Sequence, residues 1–353
     1  MRYRLLPLVL VLLLSLTACG TKAPEVAPTV SPSASPQVSD PTPTPPPVFL
    51  NPLTGLPIDE VRVNARPVAI MLNNLKQALP QMGNSQADVL YEVLAEGGIT
   101  RMLGVYQSME GVGTIGSIRS SRPYYLELAL GHDAVYLHAG GSEDAYAKIS
   151  EWNVTALDCV RSTAYSSIFW RDKDRIKNNG YEHSVLTSGE AISAHFGDFS
   201  FRKDHEDGYT YSMAFAPDGT PQNGDPASTV TVPFSNYKTG IFRYDSEKKQ
   251  YAVEEYGKPY LDGNTKEQVT VTNVIVLQTD CHPIDSYGRM AVDLTSGGKG
   301  YYANGGQLIP ILWTKASRND QLAYTTEDGA PLTLGAGHSY VSIVPLSANI
   351  TFE

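Results

Sequence analysis

The chain has 353 residues and a formal net charge of −10, with no extended run of lysine or arginine after Arg4, which excludes nucleic acid and an anionic lipid surface as natural partners of its folded part. Three cysteines are too few for a disulfide-built scaffold. Roughly three hundred residues follow a low-complexity start, enough for a sizeable core and two domains.

Arg2 and Arg4 precede an apolar stretch at residues 5–16 broken by Pro7 and Ser15, the charge and length pattern of a signal peptide over residues 1–18. The stretch is too short to span a bilayer. It ends in Leu16-Thr17-Ala18-Cys19-Gly20, which resembles the bacterial lipobox: small residues before a cysteine whose thiol is acylated and whose amine becomes the new N-terminus. Several acyl chains on one cysteine give a stable anchor where a single chain does not. The expected location is the outer face of the bacterial cytoplasmic membrane, held by lipid on Cys19. Residues 21–47 are almost entirely Pro, Thr, Ser, Ala and Val. Such a tract cannot bury a core and reads as an extended tether reaching ~3 Å per residue. Docking of the tract into a partner's groove is the competing reading. The tether thus covers residues 19–48.

In the folded part, residues 68–72, Val-Ala-Ile-Met-Leu, form an apolar run that predicts a strand buried on both faces. Residues 88–94 and 99–106 flank Glu96-Gly97-Gly98, whose glycines supply turn geometry, so a hairpin is predicted, with a helix over residues 85–95 as the alternative. Pro123 opens a helix through Leu130, because its missing N–H would have no partner in a first turn. Residues 133–138 return as a strand. Ser142 caps a short helix to Ile149, and Thr187 with Glu190 forms a capping box for a helix over residues 188–196. This alternation predicts an α/β domain with a mixed sheet over residues 49–216. Residues 229–232, 240–244, 250–255, 269–278, 300–302, 307–314 and 339–344 are strand-like and separated by Gly, Asn and Asp turns, which predicts a β-rich domain over residues 217–353.

Several motifs fail on context. Gly111-Val112-Gly113-Thr114-Ile115-Gly116 matches the dinucleotide pattern, but Pro123 starts the helix too late to receive a pyrophosphate, so a glycine-rich turn is the plain reading and no cofactor is expected. Lys238-Thr239-Gly240 and Ser246-Glu247-Lys248-Lys249 echo penicillin-binding signatures in reversed order on β turns. Asp204-His205-Glu206-Asp207 and Asp280-Cys281-His282 with Asp285 lack a closed zinc spacing and read as solvated loops, so no metal is assigned. Cys159 and Cys281 stand in neither a C-x-x-C nor a zinc spacing; one disulfide and two separate thiols are both open.

One constellation is stronger. Arg119 and Arg122 flank Ser117, Ser120 and Ser121 just before the helix opened by Pro123, where free N–H groups, the helix dipole and guanidinium forks favour a carboxylate or phosphate. Neighbouring strand ends bring Glu92, Glu96, Arg101, Asn73 and His138 to the same edge of an α/β sheet. Two roles are open: an anion-binding site built on Arg119, Arg122, Ser117, Ser120, Arg101, Asn73 and His138, or a structural network in which Arg119 and Arg122 pair with Glu92 and Glu96. A rival activity is a cell-wall hydrolase using Glu92 or Glu96 with His138 as acid and base.

Arg66-Pro67 with Asn73, Gln81, Ala87-Asp88 with Glu92, Glu96-Gly97-Gly98-Ile99-Thr100-Arg101, Gly116 with Arg119-Ser120 and Arg122-Pro123, and His138-Ala139-Gly140-Gly141 together resemble the YerB-like lipoproteins of Gram-positive bacteria. That family is defined by a domain of unknown function, 3048, with N- and C-terminal parts. The C-terminal part is echoed by Tyr244-Asp245, Asn273-Val274-Ile275-Val276, Gly297 with Lys299-Gly300, and Trp313 with Lys315. The resemblance spans residues 51–345 and implies no established activity. The chain departs from it at Ser117, where proline is usual, and at Glu182-His183-Ser184, where Pro-His-Asn is usual.

Overall fold

The computed structural model describes residues 47–353, which form one compact unit. The expected signal peptide, Cys19 and the tether up to Pro46 lie outside the described residues. Among the described residues no helix is long and apolar enough to cross a membrane.

The apolar run Val68–Asn73 is a strand with every residue buried. Successive side chains point to opposite faces of a strand. Val68, Ile70 and Leu72 accordingly join one apolar cluster and Ala69 and Met71 another. The two clusters are the two faces of an 11-stranded sheet. Its main path runs Ala156–Asp158, Val135–His138, Val68–Asn73, Thr100–Tyr106, Val89–Leu94, Ser339–Pro345, Asn273–Thr279, Gly298–Asn304, Gln307–Thr314 and Asp225–Pro226. The sheet is mixed: Val68–Asn73 runs parallel to Val135–His138 and antiparallel to Thr100–Tyr106, and Val89–Leu94 runs parallel to Ser339–Pro345. A strand from near the end of the chain therefore completes a sheet begun near its start, and the helix-containing N-terminal part and strand-rich C-terminal part share one sheet.

The predicted hairpin forms, with Leu94 opposite Thr100. Its turn places Gly97 at φ +68° and Gly98 at φ +78°, the left-handed region that glycine alone adopts without steric cost. The helix Pro123–Gly131 begins at proline and buries Tyr124, Tyr125, Leu126, Leu128 and Ala129 against one face of the sheet. The Tyr124 hydroxyl donates to the Leu94 carbonyl at 2.7 Å, and that of Tyr125 donates to the Arg101 carbonyl at 2.7 Å with the Val93 carbonyl 3.0 Å away, tying the helix start to the hairpin.

The opposite face carries a six-stranded sheet that includes Thr229–Pro233, Thr239–Asp245 and Gln250–Glu255. Val230, Val232, Phe242 and Val253 from it pack with Leu90, Met102 and Tyr340 of the central sheet. Ser142 caps the helix Glu143–Glu151 as expected, its Oγ accepting from Ala145 N at 3.1 Å.

The capping box is different from expectation. Val185–Ser188 is a strand, so Thr187 stays extended and its hydroxyl donates to the Ile168 carbonyl at 2.9 Å. Ser188 caps the helix Gly189–His195 instead, accepting from Ala191 N at 3.0 Å. The residue three positions after that cap is Ala191, so Glu190 has no box to close.

Candidate functional site

The strands Val68–Asn73 and Val135–His138 pair only through Ile70 and Leu137. Beyond that point residues 117–121 enter between them. Asn73 N donates to Ser117 O at 2.9 Å and Arg119 N to Met71 O at 3.0 Å, while Ala139 N donates to Arg119 O at 3.1 Å and Ser121 N to Gly140 O at 2.9 Å. The wedge leads straight into the helix at Pro123. Parting of parallel strands at their carboxyl ends makes the crevice where α/β sheets place ligands, and the wedge lines it with arginine and serine.

Arg101 lies opposite Asn73 in the neighbouring strand, at the same edge. Its guanidinium and that of Arg122 both grip Glu96 Oε1, Arg122 Nε reaches Glu96 Oε2 at 3.2 Å, and Arg101 Nη1 donates to Ser120 O at 3.1 Å. Burial raises the Glu96 pKa, but Arg101 and then Arg122 outweigh it and hold the carboxyl below its ordinary value. Burial, with Arg101 close by, lowers that of Arg122. Beside this clasp a cleft of about 550 Å³ opens, lined by Glu96, Ser120, Arg122, Ser142, Tyr287 and Arg289 among others.

Arg119 turns elsewhere. Its Nη1 donates to the Glu182 carbonyl at 2.9 Å and stands 3.7 Å from the Glu182 carboxylate. The same carboxylate lies 3.3 Å from His183 Nε2. His183 is fully buried, and its Nδ1 meets Asn73 Nδ2 at 2.7 Å. Asn73 Oδ1 already accepts from Leu75 N, so the amide donates to Nδ1 and the ring proton resides on Nε2. Burial, then Arg119, lowers the His183 pKa and favours the neutral ring.

The two remaining members of the predicted set are internal. Ser117 is fully buried, its N–H donating to Gln81 Oε1. His138 is also fully buried; Nδ1 donates to Gly140 O at 2.8 Å, and the ring lies 5.2 Å from that of Tyr136. It braces the turn after its strand and takes no part in lining the cleft.

Glu92 departs from both expected roles. It is separated from the His138 strand by three strand spacings, about 14 Å, and projects from the opposite sheet face, alongside Leu90 and Met102 rather than Tyr91 and Tyr136. Glu92 and His138 therefore form no acid–base pair, and Glu92 pairs with neither Arg119 nor Arg122. Its partners are Thr100, Asn74, Tyr340 and Lys238, all buried. The Lys238 motif is thus an internal cation, which its setting beside a β turn conceals. Of the predicted ion pairs, Arg122 with Glu96 is present; the partner of Arg119 is Glu182.

The acidic loops are occupied by local partners. His205 is held between Asp133 Oδ2 at 2.8 Å and the Tyr211 hydroxyl at 2.7 Å. His282 meets Asp280 at 3.1 Å, and Asp285 binds Arg289. Cys159 and Cys281 are free thiols. The glycine-rich segment forms a turn leading into the strand Thr114–Gly116.

Comparisons with known proteins agree with this architecture. Residues 53–202 match the family described as "Protein of unknown function (DUF3048) N-terminal domain", and residues 230–341 match its C-terminal domain. The "Putative lipoprotein YerB" of Bacillus subtilis (strain 168) is 32% identical over 300 residues, 83% of this chain and 86% of that protein. The crystal structure of the YerB protein from Bacillus subtilis superposes with a TM-score of 0.74 at 29% identity, covering 86% of this chain and 99% of that one.

Proposed function

The chain belongs to the DUF3048 family, and from that premise we propose that it is a lipid-anchored binding protein of the bacterial envelope, recognising an anionic group at the carboxyl edge of its central sheet. The observation that carries the reading is the gathering of Arg101, Arg119 and Arg122 around a crevice where, among the described residues, Glu96 and Glu182 are their ion-pair partners and Glu143 lines the adjoining cleft. Guanidinium forks at a helix start suit a carboxylate or phosphate. The adjoining cleft, with Tyr287 83% exposed at its rim, gives room for the rest of a peptide, wall polymer or protein partner.

Cys19 supplies the anchor in this reading. The lipobox-like sequence and the lipoprotein name of the relative support it. The tether then lifts the body off the outer face of the cytoplasmic membrane, toward partners in the wall and away from nucleic acid.

The test is crosslinking in cells, followed by identification of whatever is captured. The double variant Arg119→Ala, Arg122→Ala is expected to stay folded and lose the captured partner. An unfolded double variant with an unaltered partner set for each single variant would favour a purely structural network. Cys19→Ala should move the protein from the membrane fraction to the soluble one.

A further inference from the structure

The two carboxylates at the crevice are held in opposite ways. Glu96 is gripped by two guanidiniums, and its side chain is 26% exposed. Glu182 is 64% exposed and touches its partners only at 3.7 Å for Arg119 and 3.3 Å for His183. What it faces is well built: the His183 ring is fully buried, is fixed in orientation by Asn73, and carries its proton on Nε2, 3.3 Å from the Glu182 carboxylate but not hydrogen-bonded to it. Among the described residues neither His183 Nε2 nor Arg119 Nε, both buried, has a hydrogen-bond partner. Buried donors without acceptors are costly, so an arginine and a histidine that share one carboxylate and each keep such a donor are suited to an acceptor that arrives later.

We propose that Glu182 is a loose internal stand-in for a ligand carboxylate, and that an incoming carboxylate displaces it and binds between the Arg119 guanidinium and His183 Nε2–H. This rests on the reading of the sheet edge as an anion site, and it names the residues and the chemical class. The Arg101–Glu96–Arg122 clasp is already satisfied and acts as the fixed wall of the crevice. Every donor at the exchange position is an N–H, which selects an acceptor-only group. The present occupant sets one oxygen 3.3 Å from His183 Nε2 and the other 3.7 Å from Arg119 Nη1, the shape of a carboxylate.

The experiment uses the full chain with 15N-labelled histidine, whose seven imidazoles are resolvable by NMR; His183→Gln assigns the signal. N-acetylalanine is the probe, its methyl ester the neutral control, and inorganic phosphate the competing anion. N-acetylalanine is expected to shift the His183 Nε2 signal and the ester to leave it in place. Glu182→Gln, an exposed substitution, is expected to tighten the probe several-fold by removing the competitor. Arg119→Ala is expected to weaken it ten-fold or more, with Arg119→Lys as the milder variant should the alanine fail to fold. An unmoved His183 signal in both wild type and Glu182→Gln overturns the proposal, as does an affinity indifferent to Glu182→Gln. Phosphate binding at His183 while N-acetylalanine does not bind also overturns the carboxylate assignment. Probe binding that is lost in Arg122→Ala and kept in Arg119→Ala would remove this proposal and leave the anion site at the crevice standing.

Discussion

Lys238 and Glu92 meet at 3.1 Å between the two stacked sheets, and neither side chain has any exposure to solvent. Glu255 is the second carboxylate on the same ammonium, and the Tyr340 hydroxyl donates to Glu92 at 2.6 Å and lies 3.3 Å from Glu255. Burial lowers the Lys238 pKa, with Glu92 pulling the other way. Removing one member of a buried pair costs ~3–5 kcal/mol, because the charge left behind has no water to return to. Lys238→Met is therefore expected to lose stability on that scale. Urea unfolding checks it, and an unchanged midpoint would show that the cluster contributes nothing to the joint between the sheets.

Glu96 makes a second test of structure against function. Glu96→Gln leaves Arg101 and Arg122 facing each other across a neutral amide instead of their shared anion. A loss of about 1–3 kcal/mol is expected for charged hydrogen bonds of this kind. Arg119→Ala, loosely bound through Glu182, should cost much less. Equal losses from the two variants in thermal melts would contradict the division between a fixed clasp and an exchangeable contact.

Asp133 is expected to contribute to the acid limb of stability. Burial raises its pKa, but hydrogen bonds from His205 and then Arg202 outweigh that and bring it down to about 2. An unfolded aspartate titrates near ~3.9. A depressed folded pKa means the stabilisation is complete above the unfolded value and is lost as pH falls toward the folded one. Stability should drop between roughly pH 4 and pH 2, and Asp133→Asn should flatten that part of the profile. A variant with the wild-type slope there would assign the acid limb to other groups.

Burial raises the Cys159 thiol to about 11 and that of Cys281 to about 12. The thiolate is the reactive form. Both should resist alkylation at pH 8 in the native protein and react after unfolding, as read by intact mass. Rapid native labelling of either would refute the assignment.

Ser188→Ala is expected to cost about 1 kcal/mol through loss of the helix cap. Its Oγ holds Ala191 N at 3.0 Å, whereas Glu190→Ala should be close to neutral because no capping box exists. The reverse order of costs would restore the Thr187 assignment.

Much of the central sheet was legible in the sequence because local pattern and tertiary role agree there. The run from Val68 is apolar at every position and is buried at every position. The Gly97-Gly98 turn and the Pro123 helix start are backbone constraints that residue type alone declares. The crevice was partly legible: Arg101, Arg119, Arg122 and Glu96 do gather at one edge. What stayed hidden depends on partners distant in sequence. Glu92 is apolar in neither side chain nor charge, yet its face of the sheet is decided by the alternation that puts Leu90 and Leu94 inward, and its cation comes from a loop 146 residues later. His183 follows an exposed tyrosine and an exposed glutamate, so no periodicity marks it as buried. The signal for it was Asn73, a polar residue ending an apolar strand that needed a polar companion.

The strand Ser339–Pro345 has neighbours on both sides, Val89–Leu94 and Asn273–Thr279. Its pairing with Val89–Leu94 closes a loop of about 250 residues. Such non-local pairing is slow, because the entropy of closing the intervening loop opposes it. A chain emerging vectorially, N-terminus first, keeps its central sheet open until Ser339–Pro345 has appeared. A chain lacking Ser339–Pro345 would lose an inner strand rather than an edge, leaving the borders of Val89–Leu94 and Asn273–Thr279 unpaired and exposed to aggregation.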